Sequence, residues 1–350
     1  ARKEAKRIQS LLELNQDPAP KDKKTGASSL GDLMNAYVDL LEHQGKISHK
    51  SVNNQIQKDI KKSFPKLWKK AANQIDIDDC VKIVGKLTDE GKPRQADKIR
   101  SYLRTAYSEA INSRGDVNMP KSMRSIGVTS NPARDMRKVK GSSQARDRAL
   151  SLAEFRAYWK HVQKLDEPRK SVAILHVLTG GQRQQQLGRA TLSGIDKDTQ
   201  SLTIADGKGR RTTPRRHVIP LLPSALKAIE RTTGSGEYIF SCDGGKKPMG
   251  IPYINDIAKS ICQKMKKAGE LEGTPFTAGT IRATIETRLI AKPYSVSSDV
   301  LGHLLSHGMG GIQQRHYQHH SFFEEKLDAL NKLQRMLTED SKVVPMRERA

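Results

Sequence analysis

From residue 29 to residue 114 apolar residues recur at helical spacing, and no strand period competes with them. Ser29 is placed to cap a helix carrying Leu30, Leu33, Tyr37, Leu40 and Leu41, and Gly45 sits just past its end. The period returns over 49–63, 76–89 and 93–113, with Pro93 suited to the first position of the last stretch. There Ala96, Ile99, Tyr102, Leu103, Ala106 and Ala110 share one side, while Arg94, Lys98, Arg100 and Arg104 lie largely elsewhere. The pattern predicts a small helical domain with a basic face over residues 29–114.

Residues 115–148 have no period, contain Pro120, Gly127, Pro132, Gly141 and Ser142, and read as a basic linker. Ser151 followed by Glu154 is a capping box, which opens a new domain over residues 149–340. Its pattern is mixed. Helices are expected at 151–164, 168–178, 223–231, 252–268, 278–291, 297–306 and 321–337. Short strands are expected at 201–205 and 217–221, with a further strand-like stretch at 238–241. The predicted fold class is mainly α, a helical domain followed by a mixed domain with a small antiparallel sheet inserted. Ahead of both, residues 1–14 have helical spacing and lead into a Pro-, Gly- and Ser-containing linker, so 1–28 reads as a leftover helix plus linker. Residues 341–350 read as a tail. The chain begins at Ala1 inside this helical pattern, as expected of a piece cut from a longer protein.

Sixty-two Lys and Arg against 38 Asp and Glu give a net charge of +24, which points to a polyanion, nucleic acid first. Aromatic residues make up 5% of the chain, too few for a single-strand binder built on stacking platforms. Cys80, Cys242 and Cys262 are far apart and form no CxxC pair, which fits a reducing cytosol and neither a disulfide framework nor a cysteine zinc site. No apolar run is long enough to span a membrane.

Within the second domain, Arg183, Lys208, Arg282, His307 and Tyr317 supply what metal-free phosphodiester chemistry needs. A tyrosine oxygen can attack phosphorus. Two guanidiniums can fork onto the non-bridging oxygens. A lysine can protonate the leaving hydroxyl, and a histidine can move or hold a proton.

The settings of these residues resemble the tyrosine recombinases of the phage and genomic-island integrase type, over essentially the whole chain and most specifically from Ser151 to Leu337. The stretch 178–187 (LTGGQRQQQL) resembles the turn that presents the first catalytic arginine, here Arg183, with Gln186 where the family often has an acid. The hairpin 205–221 resembles the one that carries a catalytic lysine into the minor groove. Lys208 matches that lysine, and Arg210 and Arg211 are expected phosphate contacts. The stretch 274–289 resembles the second-arginine segment. Arg282 is its clamp, Gly279 stands where a histidine is usual, and Arg288 is expected to be structural or a DNA-backbone contact. The stretch 301–317 resembles the histidine helix and nucleophile. Tyr317 is the nucleophile and His307 the histidine, with His303 as the alternative.

The resemblance implies a two-domain clamp on duplex DNA. The helical domain would be the core-binding domain, with Lys98, Arg100 and Arg104 as DNA contacts. The leftover N-terminal helix would belong to an arm-binding domain. The implied reaction is conservative strand exchange for integration or excision of a mobile element. It would pass through a 3′-phosphotyrosyl link, in a tetramer on two DNA sites, with no ATP, cofactor or metal. DNA-bending and directionality (excisionase) factors are possible partners, and the setting implied is the nucleoid of a bacterial or phage-infected cell. Three other readings stay open at this level. A type IB topoisomerase uses the same residue types. A DNA-binding protein without chemistry would share the charge. A zinc site could use the four-residue spacing of His303 and His307 with His316, His319 and His320 following.

Overall fold

The computed structural model describes residues 28–338, apart from 47, 144–146, 207–214, 233, 235, 251 and 308–319. Residues 1–14, Lys208, Arg210, Arg211, His316, Tyr317 and His319 fall outside the described residues. The chain divides into two compact units, 1–145 and 146–350.

The first unit is helical: α1 (Leu30–His43), α2 (His49–Ile56, running on as a π turn through Lys62), α3 (Pro65–Lys69), α4 (Ile77–Asp89), α5 (Pro93–Asn112) and the short α6 (Lys121–Arg124). Helix α1 starts where the sequence places it. The Asp32 N–H donates to Ser29 Oγ at 3.1 Å, and the Ser29 N–H donates back to Asp32 Oδ2 at 2.8 Å. That reciprocal pair satisfies two orphan donors of the first turn. Asp76 and Asp79 do the same for α4. The apolar stripes of α1, α4 and α5 meet in a core that includes Leu33, Ile83, Ile99, Leu103 and Tyr107. The Tyr107 hydroxyl, buried there, donates to Ala72 O at 2.8 Å.

Residues 119–139, expected as linker, belong to this core. Met123, Ile126, Val128 and Ala133 are buried in it, and Met119, Met136 and Val139 pack against it. Asp97 Oδ1 ties the segment down by accepting from Arg100 Nε at 2.8 Å and from the Val139 N–H at 3.1 Å. The apolar residues here are irregularly spaced, so a period search passes over them. Burial and side-chain bonds, rather than a helix or strand, hold the backbone.

The second unit carries α7 (Leu152–Gln163), α8 (Arg169–Leu178), α9 (Gln184–Leu187), β1 (Ile195–Asp196), β2 (Ser201–Asp206), β3 (Arg215–Pro220), α10 (Pro223–Thr232), α11 (Tyr253–Lys267), α12 (Ala278–Ile290), α13 (Ser298–Leu304) and α14 (Phe323–Thr338). The strands form one antiparallel sheet in the order β1-β2-β3, with Ser201 opposite Pro220 and Asp206 opposite Arg215. The capping box of Ser151 and Glu154 opens α7. Tyr238–Ser241 is not a strand. Tyr238 makes a single antiparallel bridge to Thr191, and Ser241 Oγ then accepts from the Asp243 and Gly245 N–H groups at 3.2 and 3.0 Å, turning the chain away before a second pair can form. Leu202 and Ile204 on β2, Ile219 on β3 and the inner faces of α7, α8, α11, α12 and α14 share one core. No helix among the described residues is long and apolar enough to cross a membrane.

Candidate active site

Helix α8 ends at Leu178, and the chain reverses through Gly180 (φ +84°) and Gly181 (φ +70°). Both glycines are needed for backbone conformation, and Gly181 for space as well. A Cβ on Gly181 would lie 2.9 Å from Cα of Arg282. The tight turn therefore brings the backbone of α12 against the segment that presents Arg183.

The two arginines then converge on one piece of chain, the turn after α13. Arg183 donates through Nη1 to Ser306 O at 3.3 Å. Arg282 donates through Nη1 to Gly181 O at 3.0 Å and through Nη2 to Leu305 O. Burial, and then the charge of Arg183, push the Arg282 guanidinium down to about 10, with Glu286 and Asp206 opposing. At neutral pH it stays charged. Two half-buried guanidiniums side by side are a strong anion-binding arrangement, since their mutual repulsion is relieved when an anion arrives.

Next on the same turn, His307 Nε2 stands 3.4 Å from Glu286 Oε2. Glu286 is one helical turn beyond Arg282, on the same face of α12. Burial holds the His307 pKa below its ordinary value. Glu286 acts to raise it, and the charges of Arg282 and Arg183 act to lower it. His303 is placed differently. Its ring stacks on Phe322 with centroids 4.0 Å apart, and burial together with Lys326 and Arg215 lowers its pKa. Arg183, Arg282 and His307 are thus brought together, and His303 faces a separate cluster of Phe322, Lys326 and Arg215.

Two of the arginines expected at DNA are tied to backbone carbonyls within their own units, and for Arg288 this is the structural one of its two expected roles. Arg288 is spent inside the unit, its Nε donating to Leu150 O at 2.8 Å, so it anchors the start of this unit instead of offering a free fork to DNA. Arg100 in the first unit is likewise committed, to Asp97 and to Met136 O at 3.3 Å. Lys98 and Arg104 are exposed. The position of Gly279 is open. It is exposed, and within 4 Å an added Cβ would meet, among the described residues, Thr277 Oγ1 at 3.7 Å. Among the described residues no three His, Cys, Asp or Glu cluster as metal ligands.

Sequence reasoning passed over Asp206, Ser306 and Lys326. Asp206 is 4% exposed, on the core face of β2 with Leu202 and Ile204. Its Oδ1 accepts from Gln186 Nε2 and its Oδ2 from Ser306 Oγ, and Oδ2 lies 4.0 Å from Arg183 Nη1. Ser306 has φ +52°, and its Oγ accepts from Arg215 at 2.6 Å. Lys326, also 4% exposed, donates to Val218 O at 2.7 Å, and burial and Arg215 push its pKa down to about 8. A signal for Asp206 existed: a carboxylate two residues after Ile204 falls on the apolar face of a period-two strand.

No family model matches the sequence, and no curated protein does. Solved structures do match. A lambda integrase tetramer bound to a Holliday junction is 22% identical with a TM-score of 0.58, covering 86% of this chain and 85% of that one. A lambda integrase dimer bound to a COC′ core site is 20% identical with a TM-score of 0.56, covering 80% and 96%. The Tn1549 transposon integrase in complex with transposon right end DNA is 16% identical with a TM-score of 0.58, covering 87% and 98%. The chain has the fold of the tyrosine-recombinase integrases.

Proposed function

We propose that this chain is a site-specific DNA recombinase of the integrase type, which cuts and rejoins duplex DNA through a 3′-phosphotyrosyl intermediate. One observation carries the reading: Arg183 and Arg282, far apart in sequence, meet on the Leu305–His307 turn. A scissile phosphate seated against the two guanidiniums would have its non-bridging oxygens held in a fork geometry, and the extra negative charge of the pentavalent transition state stabilised. Tyr317 is the nucleophile. Its oxygen attacks phosphorus as its proton passes to the site histidine, the 5′-oxygen leaves and takes a proton from Lys208, and the 3′-phosphate stays on the tyrosine. His307, tuned by Glu286, holds or moves a proton beside the phosphate. Attack by the 5′-hydroxyl of a partner strand reverses the step, so the bond energy is conserved in the protein–DNA link.

The integrases of like fold are found as a dimer on a core site and as a tetramer on a Holliday junction, and a tetramer on paired duplex sites is the assembly proposed here. Lys98 and Arg104, with Arg210 and Arg211, contribute backbone contacts to duplex DNA. DNA-bending and directionality factors are proposed partners, and the nucleoid of a bacterial or phage-infected cell the place of action. No observation favours a topoisomerase or a non-catalytic binder.

A nicked suicide duplex carrying the attachment site traps the covalent intermediate. Wild-type protein should give a detergent-resistant adduct and Tyr317→Phe none, with duplex affinity unchanged, because only the attacking oxygen is lost. An adduct formed by the phenylalanine variant would show that another residue is the nucleophile.

A further inference from the structure

The geometry points to Asp206 as a positioning residue of the recombinase site: from strand β2 it sets the Arg183 guanidinium and, through Ser306, the turn that carries His307. The inference rests on the recombinase reading for its catalytic consequence and on the packing of β2 for its placement.

A buried carboxylate is costly unless it is paired and hydrogen-bonded. Gln186, Ser306 and Arg183, all at the site, face Asp206. Oδ1 takes the Gln186 amide, from the helix that follows Arg183. Oδ2 takes the Ser306 hydroxyl and faces Arg183 Nη1 at 4.0 Å. Ser306 links outward again. Its carbonyl accepts from Arg183 at 3.3 Å, and its hydroxyl accepts from Arg215 at 2.6 Å. The serine holds φ +52°, a conformation that a side chain rarely adopts without tertiary support. Asp206 supplies that support, and His307 is the next residue.

Charge gives the second part of the argument. Arg183 and Arg282 repel one another, which is one reason the Arg282 guanidinium is pushed down. Asp206 acts in the opposite sense on Arg282 and lies 4.0 Å from Arg183 Nη1. Before DNA arrives, this carboxylate and Glu286 supply the counter-charge that lets two like charges wait at one spot. Asp206 is the last residue of β2 and pairs with Arg215 on β3.

The test uses the whole chain and two readouts. Asp206→Asn is isosteric and keeps an oxygen for Ser306, but removes the charge. Single-turnover cleavage of the suicide duplex at saturating protein should fall about 100-fold, the scale of losing one preorganised electrostatic partner, while the duplex Kd changes less than about twofold. The Arg183 Nε–H signal, assigned by its loss in Arg183→Lys, should shift in a ¹⁵N spectrum. Adding Gln186→Glu to Asp206→Asn exchanges the two ends of the amide–carboxylate pair and returns a negative charge to the same pocket. This double variant should recover at least about tenfold of the lost rate and move the Arg183 signal back toward wild type. A merely structural Asp206 would show restored melting temperature without restored rate, and an unmoved Arg183 signal. Either that result or a wild-type cleavage rate in Asp206→Asn overturns the proposal. If Asp206→Asn does not fold, Ser306→Ala, which removes only the serine arm, should still lower the rate and shift Arg183, and no effect on either would count against the role. If wild-type protein forms no adduct at all, the recombinase reading fails, and the Arg183 signal alone decides whether Asp206 orients that guanidinium.

Discussion

Glu286 and Arg282 lie one helical turn apart on α12, and Glu286 Oε2 stands 3.4 Å from His307 Nε2, so one helix face supplies both the Arg282 guanidinium and the partner of His307. The carboxylate opposes burial and the two arginine charges, all of which lower the His307 pKa. Removing it in Glu286→Gln lowers that pKa further. The limb of the cleavage–pH profile set by His307 should therefore move to lower pH in Glu286→Gln, with little change in DNA affinity. A profile that keeps its position, or moves to higher pH, would detach Glu286 from the histidine.

Two core histidines should make the second unit acid-sensitive. Burial pushes His176 down from 6.5 to about 4 and His217 to about 3, so both are neutral when folded. Their folded pKa lies below the unfolded one, and the unfolded chain takes up protons first. Stability is fully present above about pH 6.5 and falls as the pH drops from there toward 4. At about 1.4 kcal/mol per pKa unit, each histidine withdraws on the order of a few kcal/mol across that window. Melting temperature measured from pH 7 to pH 4.5 should fall, and His176→Leu should flatten the fall. Equal slopes in the two proteins would refute the role of His176.

Gly181 tests whether close packing positions the arginine. Its φ of +70° strains any other residue, and a Cβ would press on Cα of Arg282 at 2.9 Å. Gly181→Ala should cost on the order of 1–3 kcal/mol. It should also slow cleavage, because Arg282 is displaced from Leu305 O. Gly279→Ala is the control, since an added methyl there meets, among the described residues, Thr277 Oγ1 at 3.7 Å. Comparable losses in the two variants would remove the steric explanation.

Salt dependence separates the cations of the first unit. Affinity for duplex DNA should fall with salt by a log–log slope of roughly −0.9 per phosphate neutralised. Exposed Lys98 and Arg104, changed together to Gln, should flatten that slope on specific and random duplexes alike. Arg100→Gln should leave the slope in place and lower the melting temperature instead, because Arg100 holds Asp97 and Met136 O. A flatter slope in Arg100→Gln, with unchanged melting, would return Arg100 to the DNA-contact set.

Local order alone determined much of this protein. The helical period over 29–114, the serine caps at Ser29 and Ser151 and the paired strands either side of 207–214 are properties of neighbours in sequence, and each is present in the structure close to where the pattern puts it. Arg183, Arg282 and His307 stand out in short motifs for the same reason, while Lys208 and Tyr317 lie outside the described residues. Long-range packing decided the rest. Arg183 reaches Ser306 across 123 positions, and no spacing rule says which carbonyl a guanidinium meets at that distance. Arg288 and Arg100 look like free cations in sequence and are spent on carbonyls in the fold. Residues 119–139 look like a linker because their apolar side chains have no period, yet they bury against α1 and α5. Asp206 reads as the end of a strand, and only the approach of Ser306 and Arg183 makes it a counter-charge. A pattern records which faces are apolar, and it takes the closed core to say which polar groups are left facing one another.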